Sequence, residues 1–98
     1  MREVVLLAPS STWSIRIRSR RRRLRVDCRA HASGDVAAYV LEPCDFQAFS
    51  ADAPCHVVSG HAARARHHYA VELDKEEVVY FVVRNPHASD VALWVSVA

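Results

Sequence analysis

Arginine, histidine and cysteine are the side chains of this sequence with chemistry to offer. Of its thirteen basic residues only Lys75 is a lysine. Eight arginines (16, 18, 20–23, 25 and 29) crowd residues 16–29 against one acid, Asp27, a local charge of +7. The rest of the chain carries five basic and ten acidic residues, so the formal +2 hides a strong segregation. Such a patch attracts phosphates, acidic lipid headgroups or an acidic protein surface, and guanidinium suits bidentate contact with carboxylate or phosphate. The plain alternative is a solvated face balanced by Glu and Asp from a neighbouring strand. Part of the arginine excess also reflects a GC-rich coding sequence.

The other candidates are thinner. Cys55-His56, His61 and His67-His68 cluster in sequence, yet no Cys-x2-Cys or His-x3-His pair exists to hold zinc. His67 and His68 are neighbours on an alternating pattern, so they should point to opposite faces, and the histidines read as ordinary surface residues. No metal or other cofactor is expected. There is no Gly-x-Ser-x-Gly elbow, and Gly34 and Gly60 alone cannot build a phosphate loop. Cys55 and His56 rarely meet as nucleophile and base when adjacent. The expectation is a chain that is not an enzyme.

The elements that position these residues are strands. Trp13–Arg18 alternates with Trp13, Ile15 and Ile17 on one side. Arg23–Ala30 alternates with Leu24, Val26, Cys28 and Ala30 inward, and a one-residue slip would bury four charges. Ser19–Arg22 between them is short enough for a hairpin, which would gather Arg16, Arg18, Arg23, Arg25 and Arg29 on one solvent side. Ser33-Gly34-Asp35 reads as a turn. Val36–Glu42 is almost continuously apolar, as in a strand covered on both faces, and Pro43 ends it. Asp45–Phe49 is a helical turn or an irregular strand. A short strand is expected around Val57-Val58, closed by Gly60. Arg64–Asp74 alternates again, Asp74–Glu77 is a charged turn, and Val78–Arg84 suits a central strand. Val91–Val97 closes the chain with Val91, Leu93, Val95 and Val97 inward. Trp94 then faces outward, as a contact residue or under a second layer. With the N-terminal Val4–Ala8 run this makes about eight strands, the spacing of an all-β antiparallel sandwich of jelly-roll-like connection. At 98 residues one domain is expected over 1–98, hiding roughly 60–70% of its unfolded surface. The 51% hydrophobic content excludes a disordered tail.

The stretch FQAF…YAVELDKEEVVYFVVRNPHASDVALWVSV resembles the closing strands of bacterial pre-peptidase C-terminal domains and the related GOLD-like, jelly-roll accessory domains. The shared pattern is a strand (Val71–Leu73), a tight turn (Asp74–Glu77), a Tyr-bearing strand ending in Asn-Pro (Val79–Asn85) and an alternating last strand (Val91–Val97). VAAYVLEPCDFQAF resembles the strand and loop before them. The chain departs from the pattern in placing Glu76-Glu77 where such modules often have Gly, and in lacking an Asp-rich calcium loop. The resemblance implies a non-catalytic accessory or binding module and transfers no catalytic residue.

No run reaches the roughly 20 apolar residues of a membrane span. The Val4–Ala8 run is shorter than a secretory core, so the expected location is cytoplasmic. Three cysteines fit a reducing compartment, although Cys44 and Cys55 could bridge in a secreted chain. The expected function is a bacterial protein-interaction or accessory module. Its binding residues are Arg16, Arg18, Arg23, Arg25, Arg29 and Trp94. Its partner is an acidic protein surface, an adjacent domain or a second copy. The alternative is a module for polyanions: acidic glycan, lipid headgroup or nucleic acid. Nucleic acid is disfavoured because the arginine strands lack aromatic stacking platforms apart from Trp13.

Overall fold

A computed structural model describes residues 1–20 and 22–98; Arg21, in the connection expected at 19–22, lies outside the described residues. Among the described residues six strands and one helix follow in order: β1 (Arg2–Leu7), β2 (Thr12–Arg18), β3 (Leu24–Leu41), α1 (Pro43–Ser50), β4 (Ser59–Leu73), β5 (Val78–Arg84) and β6 (Val91–Val97). Every pairing is antiparallel. The first half of β3 pairs with β6 and the second half with β5, while β4 follows β3 along its other edge. β1 lies beyond β6 and β2 beyond β5. The sheet therefore folds into two layers, β1-β6-β3 and β2-β5-β3, with the β3–β4 ribbon passing from one into the other. This is an all-β antiparallel sandwich, and the other connections step from layer to layer in jelly-roll fashion.

Alternation sets the core. Val26, Cys28 and Ala30 of β3, Val79, Phe81 and Val83 of β5 and Leu93 and Val95 of β6 are buried in one cluster. Phe81 alone contributes roughly 2–3 kcal/mol by leaving water. Leu24 also alternates inward, but as the first residue of β3 it keeps 40% of its surface exposed. β5 and the end of β3 are covered on both sides. Pro43 sits at the start of α1, and Phe46 stacks flat on Tyr80 at 4.0 Å while Phe49 meets Tyr39 edge-on. Leu41 and Val82, which alternate away from the core, are fully buried on that helix-covered face.

Three sequence expectations change. The hairpin between residues 13–18 and 23–30 does not form: β2 pairs with β5, and β3 with β4, β5 and β6. A short polar connection looks the same whether it closes a hairpin or crosses between layers, and this one crosses. Ser33-Gly34-Asp35 is no turn but the irregular middle of β3. Register shifts between His31 and Val36 and between Val36 and Ala38 bend the strand from one layer to the other. Neighbours hold it in place, with Ser33 Oγ accepting from the Ala92 amide at 3.0 Å. Val57 and Val58 lie outside any strand, and β4 begins at Ser59. Gly60 is inside that strand, where a Cβ would come within 2.4 Å of the Tyr39 ring. Merging two expected strands and losing the short one brings about eight to six.

The ends of the sandwich are tied by polar groups. Asn85, fully buried, donates to the carbonyls of Leu7, Ala8 and Ser89 and accepts from the His87 amide. It thereby joins the β1–β2 and β5–β6 crossings. At the opposite end the Glu76 amide donates to the Ser19 carbonyl, and the Ser19 amide to that of Glu77. The 74–77 turn closes with Glu77 N–H on the Asp74 carbonyl, and Glu76 holds φ 67°. That is the left-handed position for which turns prefer Gly, and the departure noted in the sequence falls on it.

Candidate functional site

The two layers differ on their outer sides. The outer face of β2 and β5 carries α1, whereas that of β1, β6, β3 and β4 is open. Its side chains follow from register. Val4 pairs with Trp94, Trp94 with His31, and His31 with Arg66, giving one row across four strands. Arg2, Ser96, Arg29 and His68 form the next row. At roughly 4.8 Å between strands each row spans about 14 Å. The rows line an open groove of about 700 Å³.

The groove changes character along its length. On β1 and β6 it holds an apolar patch, Val4 at 67% and Trp94 at 45% exposed, with Arg2 at one end. On β3 and β4 it is basic. Trp94 and His31 pack with ring centroids 5.6 Å apart at 32°. Arg29, Arg66 and Arg2 make no ion pair among the described residues. Beyond them the charges are matched. Asp27 accepts from His68 Nε2 at 3.0 Å and lies 3.8 Å from Arg25, and that hydrogen bond, with the Arg25 charge, holds its carboxyl below the usual range.

The six residues expected to bind are thus divided. Arg29 and Trp94 come together in the groove, and Trp94 faces outward uncovered. Arg25 and Arg23 lie farther along the same face, but Arg23 reaches Glu72 at 2.5 Å and Asp74 at 3.9 Å. Arg16 and Arg18 are on the other layer: Arg16 beside Tyr80 and Arg18 paired with Glu76. The single patch of five arginines dissolves with the hairpin. Val4, His31, Arg66 and His68 were missed because nothing local marks them; only the cross-strand register brings them beside Trp94.

Several of the remaining candidates have structural work. His67, expected on the surface, is 5% exposed. Its Nε2 faces the Val36 and Arg64 carbonyls at 2.8 and 3.0 Å, so that nitrogen carries the proton and Nδ1 accepts from the Tyr69 hydroxyl at 2.6 Å. His68 points the opposite way, as alternation requires. Burial pushes the Tyr69 phenol up and the Cys28 thiol up to about 11. Cys44 is exposed and Cys55 half-buried, and neither forms a disulfide. Glu42, Cys44 and Asp45 stand close together at the start of α1, but Asp45 is occupied by the His56 amide at 3.1 Å.

No family model matches the chain, and no curated protein matches it by sequence. Among solved structures it is similar to the pre-peptidase C-terminal domain of a collagenase from Bacillus anthracis. The TM-score is 0.72 at 12% identity, over 100% of this chain and 88% of that one. With so little identity the likeness is one of backbone: the two crossings pinned by Asn85, the tight 74–77 turn and the alternating last strand build, in this chain, the fold of a pre-peptidase C-terminal domain.

Proposed function

We propose that this chain is a non-catalytic accessory module that docks an acidic protein surface or adjacent domain through the open face of its first layer. One observation carries the reading. The sandwich covers one outer face with its own helix and leaves the other open, with Trp94 and unpaired arginines at its centre. Exposed aromatics and arginines are the residues that dominate binding energy at interfaces. The similar collagenase domain is one part of a larger enzyme, which supports an accessory role. Two of the candidates for chemistry are otherwise engaged: His67 in the bend and Cys28 in the core. Three unpaired thiols fit a reducing compartment and the expected cytoplasmic location. Among the described residues no helix is long and apolar enough to cross a membrane.

A polyanion is the second reading, favoured by Arg2, Arg29 and Arg66, which make no ion pair among the described residues. Salt separates the two, since polyanion binding through several cations falls steeply as salt rises. The test uses two double variants, Arg25→Glu/Arg29→Glu on the open face and Arg16→Glu/Arg18→Glu on the other layer. Capture of one partner by wild type and by the second variant, and its loss from the first, is the expected result. Equal capture by all three would remove the open face from the account.

A further inference from the structure

Resting on that reading, we infer that the groove takes an extended acidic segment of a protein chain, with carboxylates on Arg29 and Arg66 and an apolar side chain against Trp94 and Val4. Three observations select this occupant. The first is spacing. Arg29 pairs with His68, so Arg66, two residues earlier on β4, is its diagonal neighbour, at about 7–8 Å. Alternate side chains of an extended chain repeat every 7 Å or so, so carboxylates at positions i and i+2 meet both guanidiniums together. The second is the meeting of an apolar patch, Val4 and Trp94, with Arg29 and Arg66 on β3 and β4, which calls for a ligand with both characters. A peptide has them; a uniformly sulfated polysaccharide does not. The third is shape. Arg2, Arg29 and Arg66 line an open groove of about 700 Å³, which an extended chain fills and a flat membrane leaves empty. A second copy presenting the same face would bring Arg2, Arg29 and Arg66 against their own equivalents.

Arg29 and Arg66 are both exposed, open to a bidentate carboxylate; charge-assisted bidentate hydrogen bonds are the strong ones, and losing two of them together changes affinity by about tenfold. The experiment is fluorescence anisotropy with a labelled short peptide of alternating Glu in which two other positions are Leu. Its Gln counterpart, heparin, and phosphatidylserine vesicles are the comparison probes, at physiological salt. The Glu peptide should bind, and the Gln peptide should bind about tenfold more weakly or worse. Arg29→Gln/Arg66→Gln should lose the same factor, Trp94→Ala should weaken binding, and Arg16→Gln/Arg18→Gln should not. Melting curves must show each variant folded. Equal binding of Glu and Gln peptides, absence of peptide binding, or tighter binding of heparin or vesicles than of the Glu peptide would overturn the inference. Docking of some other partner would survive that result if the Arg25→Glu/Arg29→Glu variant still lost its captured protein.

Discussion

Asn85 shows how one buried polar side chain can hold two crossings together. Its amide donates to three carbonyls and accepts one amide, all inside the protein. Asn85→Ala leaves those groups without partners, so urea unfolding should show a loss of about 2–4 kcal/mol. Asn85→Asp should be worse, because a carboxylate would face three carbonyls. Glu76 is the opposite kind of residue, an acid in a position that suits Gly. Glu76→Gly should be neutral or stabilising by up to ~1 kcal/mol, since the exposed pair it makes with Arg18 contributes little. Glu76→Gln, which loses the pair and keeps the conformation, should melt no higher than wild type. Asp27 has a folded pKa below its unfolded one. Its contribution is therefore present above the unfolded value and disappears as pH falls through the folded value. The gap in melting temperature between wild type and Asp27→Asn should close in that acid window.

At the scale of the strand, alternation is a strong statement about faces and a weak one about neighbours. Trp13, Ile15 and Ile17 show their side of β2 plainly, and so do Val91, Leu93 and Val95 for β6. Val26 against Arg25 is the sharpest case. Val26 is 4% exposed and Arg25 lies on the solvent side, so Val26→Asp should unfold the domain, at a cost of several kcal/mol for an unpaired buried charge. Arg25→Asp should shift the melting temperature only slightly. Equal loss in the two would mean the register is wrong. Pairing was not legible, because residues 19–22 have the same polar composition whether they close a hairpin or cross between layers. Continuity through Ser33-Gly34-Asp35 was hidden for a related reason: these residues fall between the β6 and β5 pairings of β3 and are held by distant groups, the Ala92 amide on Ser33 Oγ and the His87 ring at the Asp35 carbonyl. Val57-Val58 shows the reverse, β-branched residues with one backbone bond, Val58 N–H to the Val40 carbonyl, and no strand.

For the whole molecule, the asymmetry between a helix-covered face and an open one matters more than net charge. The arginine excess of residues 16–29 was visible in the sequence, but the fold spends much of it on Glu72, Asp74, Glu76 and Asp27. Left without an ion pair in the groove, among the described residues, is Arg29, joined by Arg2 and Arg66 from distant parts of the chain. Trp94 was legible as outward-facing; its company was not, because it depends on which strands lie beside β6. The central claim is that binding occurs on this open face. Amide and indole chemical-shift mapping by NMR, with the Glu-rich peptide added to isotope-labelled protein, tests it most directly. The account predicts shifts concentrated at Val4, Arg29, His31, Arg66 and Trp94, with α1 and Arg16 unmoved. Shifts centred on α1 or on Arg16 and Arg18, with the Trp94 indole unchanged, would contradict it.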